Sequence, residues 1–292
     1  MKTGQGAAHG AITILNATAA GVGCSLAIEG GAGATWTWTR QPGLHADLGG
    51  ADERLVRAIF ASAPPPPGFE GANVFVRTRH PPSRGLKTSS SAAAAMLRAR
   101  AASLGRPLDG LALVHEAVAC SRAASVTLTG AMDDQTAVVM GGCHLTDNRR
   151  DTVLQSMETE PLEVAVWVPA AGISKAEVAR VDLGPIRGAA SLLASRLRRG
   201  DVAGVLTENG RLFSRCYEAA GLPVSEEPAR VALAAGALGA GLSGTGPAVA
   251  ALFRRRCELP PVTGGHWSWS RAVAASAPPV GLPATPQTGA MS

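Results

Sequence analysis

Apolar and polar positions along the chain switch between two periods. AITILNAT (11–18), VGCSLAIEG (22–30) and ATWTWTR (34–40) set β-branched and aromatic residues between glycine breaks, which predicts three strands. DERLVRAIFASA (52–63) spaces Leu55, Val56, Ile59 and Phe60 as one helical face. The four prolines at 64–67 end it, because neither a helix nor a central strand can continue through them. NVFVRTRH (73–80) alternates as a strand. Two helices are predicted next, Ser90 to Leu104 and Leu108 to Ala123, the second with Leu111, Val114, His115 and Val118 on one side. SVTLTGAMDD (125–134) reads as strand into loop before a short helix, and GGCHLTDN (141–148) as turn and strand.

A second half begins near residue 159. LEVAVWVP (162–169) is a continuous apolar run and predicts a buried strand. Helices are expected at about 185–199, 201–219 and 226–237. GALGAGLSGTGPAVAALF (236–253) predicts a glycine loop feeding a buried strand, and HWSWSRAVA (266–274) a last strand. Strands and helices do not alternate regularly, so the class is α+β rather than a doubly wound sheet. The expected division is residues 1–158, residues 159–277, and a Pro- and Gly-rich tail, 278–292, expected to be disordered.

Composition narrows the class. A chain of 292 residues that is 46% hydrophobic and 17% charged can bury a sizeable core. With one Tyr and five Phe, that core must be built from Ala, Val, Leu and Ile. The net charge of +5 suits an anionic small molecule. Arg196, Arg198 and Arg199, like Arg254, Arg255 and Arg256, lack the interleaved aromatics of a nucleic-acid groove, so no nucleic-acid partner is expected. Five scattered cysteines without a CxxC pair suggest neither a disulfide framework nor a zinc site, and a reducing cytoplasm is the expected compartment. No signal peptide or transmembrane segment is expected.

Three loops carry candidate chemistry. In PPSRGLKTSSSAAAAM (81–96), Gly85, Leu86, Lys87, Thr88, Ser89, Ser90 and Ser91 lie between a strand and a helix. A helix N-terminus holds anions on its unpaired N–H groups, and Gly85 lets a phosphate approach. The hydroxyls can cap the helix, bind phosphate or ligate Mg²⁺, and Lys87 adds a positive charge. The stretch lacks the GKS or GKT triplet of a Walker loop, and a plain capped helix remains the alternative. Asp133 and Asp134, after Gly130, suit a general base or a Mg²⁺ ligand, or else a turn. Gly239-Ala240-Gly241-Leu242-Ser243-Gly244-Thr245-Gly246-Pro247 concentrates four glycines, so a ligand or another segment must approach that backbone closely.

Taken together in this order, GAITILNATAAGVG, GLKTSSSAAAA, TGAMDD, GGCHLTDN, TENG (207–210) and AGLSGTGPA resemble the GHMP kinases, and within them the archaeal-type shikimate kinases. The resemblance spans about residues 6 to 253. It implies a two-domain fold, an N-terminal α+β domain and a C-terminal ferredoxin-like domain, with ATP and substrate in the cleft. It implies ATP and Mg²⁺ as cofactors and the 3-hydroxyl of shikimate as phosphoryl acceptor. Gly85 to Ser91 would wrap the triphosphate, with Lys87 among the catalytic groups. Asp134, seven residues before Gly141, would be the base, with Asp133 second. Gly241, Ser243, Gly244, Thr245 and Gly246 would close on the transferred phosphate. Asn16 and Asn209 are candidate hydroxyl contacts, and an unidentified Arg must pair with the substrate carboxylate. His9, His80, His115 and His144 are left as structural or surface residues.

One position departs from the family. Its magnesium-binding Glu is expected eleven residues before the catalytic Asp, where Ala123 stands. Ser90 and Glu116 are therefore the candidate metal ligands. Two further readings stay open: a kinase of another cyclitol or shikimate-like acid, and a relative that binds a ligand without turning it over.

Overall fold

The computed structural model describes residues 2–277 and Pro279, so the expected tail lies almost wholly outside the described residues. Among the described residues, ten strands form two sheets, one from each half of the chain. The first is built on two long strands, β1 (Lys2–Leu15) and β2 (Val22–Thr39), joined by the single helical turn α1 (Ala17–Ala20). They pair antiparallel from Lys2↔Trp38 to Leu15↔Cys24. The two strands expected at 22–30 and 34–40 are thus one; a bulge near Gly30 and Gly31 takes up the glycine break.

The other edge of β2 is shared. β4 (Gly71–Thr78) pairs along Ala32–Thr39, and β5 (Cys143–Asp147) along Val22–Leu26. Short β3 (Gly43–Asp47) and β6 (Thr152–Met157) close the two sides. Helix α2 (Glu53–Ala61), capped by Asp52, buries Leu55, Val56 and Ile59, and its Phe60 stacks on Trp36. Helix α3 (Thr88–Ser103) lies directly on β1. A Cβ on Gly4 or Gly6 would fall 2.3 Å from the Ala99 or Ala95 carbonyl oxygen. The alanine run at 92–95 therefore serves tight helix–sheet packing and is wholly buried.

Helix α4 (Gly110–Ala123) buries Leu113, Val114, Ala117 and Val118. Leu111 and His115 are exposed, so the inward face is turned from the expected one. Residues 126–131 form a loop instead of a strand, because β5 already occupies the edge of β2 they would need. Helix α5 (Met132–Met140) starts immediately after it.

The second sheet has the order β10-β7-β9-β8, every pair antiparallel: β7 (Glu163–Pro169), β8 (Gly239–Leu242), β9 (Val249–Phe253) and β10 (Gly265–Arg271). Numbered along the chain this is 4-1-3-2, a ferredoxin-like order, although no helix connects β9 to β10. Helices α6 (Lys175–Val178), α7 (Arg187–Leu197), α8 (Val202–Ala219) and α9 (Glu227–Ala234) link β7 to β8. Gly239 and Gly241 are part of a strand, not of the glycine loop. They let α8 approach so closely that a Cβ would lie 2.2 and 2.4 Å from the Ala203 and Leu206 carbonyl oxygens.

One apolar cluster joins the halves. Ile12, Ile14 and Leu26 of the first sheet pack with Val164, Val166 and Ala250 of the second, and Leu86 inserts between them. The phosphate-loop candidate is thereby anchored on the seam. All five cysteines are free, and among the described residues no helix is long and apolar enough to cross a membrane.

Candidate active site

The cavity on this seam is lined by residues 85–90 of the loop, Asp133 and Asp134, and Gly244 and Thr245 of the second half. It is built around the start of α3. Lys87 is the N-cap residue, in the left-handed region at φ 59°, which points its side chain across the cavity while Thr88, Ser89 and Ser90 begin the helix. The four hydroxyls divide two and two. Thr88 donates to the His80 and Pro81 carbonyls, and Ser91 donates to the His9 carbonyl at 2.6 Å. Ser89 and Ser90 line the cavity with no hydrogen bond to any described residue. Only these two are free for an incoming anion or cation, beside backbone N–H groups of the first helical turn.

Opposite stands the start of α5. Asp134 receives the Lys87 ammonium at 2.9 Å and the Ser25 hydroxyl at 2.9 Å. Asp133 is 4% exposed and accepts from Asn148 Nδ2 at 2.7 Å. Burial first, and then the neighbouring Asp134 charge, push the Asp133 carboxyl up to about 7, against the opposing pull of Lys87 and Asn148. Asn148 is itself held by Thr146, which donates to its Oδ1 at 2.7 Å. The two carboxylates therefore differ in kind. Asp133 is fastened into the wall, and Asp134 faces the cavity with a cation on it.

The glycine loop closes the far side. Ser243 is wholly buried, donates to the Gly85 carbonyl at 2.9 Å and accepts from the Thr13 N–H, so it spaces two loops rather than touching a ligand. A Cβ on Gly85 would sit 2.0 Å from the Ser243 carbonyl oxygen, which explains that glycine by packing. Gly244, at φ +60°, would place a Cβ 2.8 Å from Lys87 Nζ, so its bareness leaves room for the ammonium. Gly241 and Gly246 lie outside the cavity lining. Asn16 and Asn209 also turn out as fasteners: Asn209 Oδ1 accepts from the Asn16 N–H, and Asn16 Nδ2 donates to the Gly244 carbonyl at 2.8 Å.

Glu116 is not at the site. It pairs with Arg100 on the side of α4 turned towards α2, where Ala123 also lies. The residue that α4 presents to the cavity is Ser121, held by Gln135 Nε2 at 3.2 Å. No three His, Cys, Asp or Glu side chains gather among the described residues. For Mg²⁺ the oxygen donors at hand are Ser90 and the Asp134 carboxylate, a short set that suits an ion sharing most of its sphere with phosphate and water. The Thr13 hydroxyl, wholly buried on the cavity wall, has no hydrogen-bond partner among the described residues.

Lys175 was not legible in the sequence. It is exposed as a residue on α6, but its ammonium donates to the Val126 carbonyl beside the cavity, and burial there lowers its affinity for the proton. The nearby Ile173 N–H bonds the Ser83 carbonyl, so the segment straps the 83–91 loop to the 126–131 loop. Of the histidines, His9 bonds Ala277, His144 bonds Gly141 and Ser156, and none lines the cavity.

Residues 53–142 match the model of the GHMP kinase N-terminal domain. A shikimate kinase of Thermococcus kodakarensis is 33% identical, over 87% of this chain and 94% of its own length. One of Methanothrix thermoacetophila is 34% identical over 85% of each chain. Among solved structures, the homoserine kinase of Cytophaga hutchinsonii superposes with a TM-score of 0.70 over 94% of this chain and 96% of its own, at 16% identity, a likeness of fold alone. With the loop order, the paired aspartates and the two sheets agreeing, the chain belongs to the shikimate kinase family of the GHMP kinases.

Proposed function

We propose that the protein is an ATP-dependent kinase that transfers the γ-phosphoryl group to the 3-hydroxyl of shikimate. The observation that carries this is the Lys87–Asp134 pair, 2.9 Å across a cavity floored by the start of α3 and the two free hydroxyls Ser89 and Ser90. Phosphoryl transfer needs positioning and charge neutralisation more than covalent chemistry, and the cavity offers these. The first-turn N–H groups of α3, Ser89 and Ser90 hold phosphate oxygens. Lys87 and Lys175, from opposite walls, neutralise charge on them. Asp134 accepts the proton of the acceptor hydroxyl as its oxygen bonds to phosphorus and the β,γ-bridging bond breaks. Bound Mg²⁺ would rest on Ser90 and Asp134 and neutralise phosphate charge.

The test is ADP release, coupled to NADH oxidation, with ATP, Mg²⁺ and shikimate, beside quinate, other cyclitols and homoserine. Turnover on shikimate above the rest is expected. Turnover on another acceptor alone would refute the substrate, and none on any acceptor would refute the kinase.

A further inference from the structure

The cavity at Asp134 holds only about 100 Å³, too little for a triphosphate terminus and a cyclic acid together. It opens along Ala17, Thr18 and Thr129 into an adjoining groove of about 480 Å³, completed by Gly21, Asn148 and Arg149. Asn148 ties the groove to the reacting centre. Its side chain holds Asp133, and its N–H donates to the Gly21 carbonyl at 2.9 Å. Arg149 follows it directly in the chain.

Two guanidinium groups border this groove. Arg122 is engaged with both carboxylate oxygens of Asp151 and with the Asn148 carbonyl. The Arg149 guanidinium has no hydrogen bond and no ion pair with any described residue. It lies over Gly21, where a Cβ would fall 2.4 Å from its Nε. Gly21 at φ +77° thus gives the planar group a flat bed. The cations of the inner cavity are spoken for, Lys87 by Asp134 and Lys175 by the Val126 carbonyl at the mouth.

We infer that Arg149 anchors the carboxylate of the acceptor in this groove, with the ring between Thr18 and Thr129 and the hydroxyl directed inward to Asp134. A guanidinium with its donors unspent offers a carboxylate two parallel hydrogen bonds, which fixes orientation as well as charge. This rests on the acceptor being an acid such as shikimate.

The experiment measures kcat and KM for shikimate, for its methyl ester and for ATP, in the wild type and in Arg149→Met and Arg149→Lys. In the wild type, kcat/KM should favour the acid over the ester. Arg149→Met should raise KM for shikimate roughly 10- to 100-fold, leave KM for ATP within about twofold, and abolish the preference for acid over ester. Arg149→Lys should recover part of the loss. Because Arg149 has no side-chain partner among the described residues, the melting temperature of Arg149→Met should match the wild type. An unchanged KM and an unchanged acid preference in Arg149→Met would overturn the anchor while leaving the kinase standing. A wild type that phosphorylates shikimate and its ester equally would also overturn it. A wild type without turnover on shikimate would remove both readings together.

Discussion

Replacing Asp133 by Asn should make the free protein more stable, by a margin that grows as pH rises from about 4 to 7. Asp133 is buried beside Asp134, and its carboxyl sits at about 7 instead of 3.8. The folded state therefore holds a proton that the unfolded chain has released between these values, and stability falls as pH rises from about 4 to 7. The separation of about three units corresponds to a penalty on the order of 4 kcal/mol above pH 7 that shrinks to a small fraction of this by pH 4. Asn keeps the shape. Its carbonyl can accept from Asn148 Nδ2, and its amide can donate to Ser25 Oγ, which goes on donating to Asp134. At about 2 °C per kcal/mol for a chain of this size, Asp133→Asn should melt some 4–8 °C higher than wild type at pH 8. At pH 4 the two should melt within about a degree of each other. Differential scanning calorimetry at the two pH values measures this. A gain independent of pH, or no gain at pH 8, would refute the argument that Asp133 is a charge held in the wall against its own desolvation.

Other substitutions separate site from scaffold. Asp134→Asn should lower kcat by about 10²- to 10⁴-fold with ATP affinity little changed, read by steady-state kinetics and nucleotide titration; a wild-type rate would remove Asp134 as base. Ser90→Ala should raise KM for ATP and leave the melting temperature alone, whereas Ser91→Ala, which loses a buried bond to His9, should cost about 1–2 kcal/mol and leave KM alone. Gly244→Ala should displace Lys87 and cut kcat at least tenfold, and kinetics equal to wild type would return that glycine to loop conformation only. His80 is buried, and burial holds its imidazole at about 4. It favours the fold fully above about pH 6.5 and loses that contribution as pH falls towards 4, about 3 kcal/mol in all; His80→Gln should flatten this limb of a stability–pH curve.

Most of the scaffold was legible because its signals are local. Helix α2 announces itself by apolar spacing and a proline stop, β7 by an unbroken apolar run, and α8 by its period. What stayed hidden depends on partners distant in sequence. Residues 126–131 have the composition of a strand but no edge to pair with, because β5 arrives from further along the chain to take it. Glycines 239 and 241 look like ligand contacts and are packing contacts, and Gly85 both packs against Ser243 and lines the cavity, since whether a bare backbone faces a phosphate or a helix depends on what folds against it. Leu111 and His115 carry a helical spacing that fits either face, and the neighbours α3 and α5 choose the other. In the candidate site, loop order pointed to Lys87, Ser90 and Asp134, which the fold brings to one cavity. Lys175 and Arg149 carry no motif and become visible only where their side chains reach.

The absent glutamate illustrates the difference between position in sequence and position in space. Eleven residues before Asp134 stands Ala123, but in the folded chain Ala123 borders the groove between α2 and α4, and Ser121 faces the cavity. A hydroxyl at that place, fixed by Gln135, takes a weaker hold on a cation than a carboxylate would. The remaining charge is arranged to compensate from the other direction. Two lysines, one from each half of the chain, line the cavity, and point charges on flexible stems would suit a phosphate there without demanding strict geometry. Under the proposed phosphoryl transfer, neutralisation would lean on ammonium groups as much as on a metal. It follows that strap and phosphate loop must come together before the charge is balanced, and the Ile173–Ser83 and Ser243–Gly85 bonds across the seam are what hold them in place.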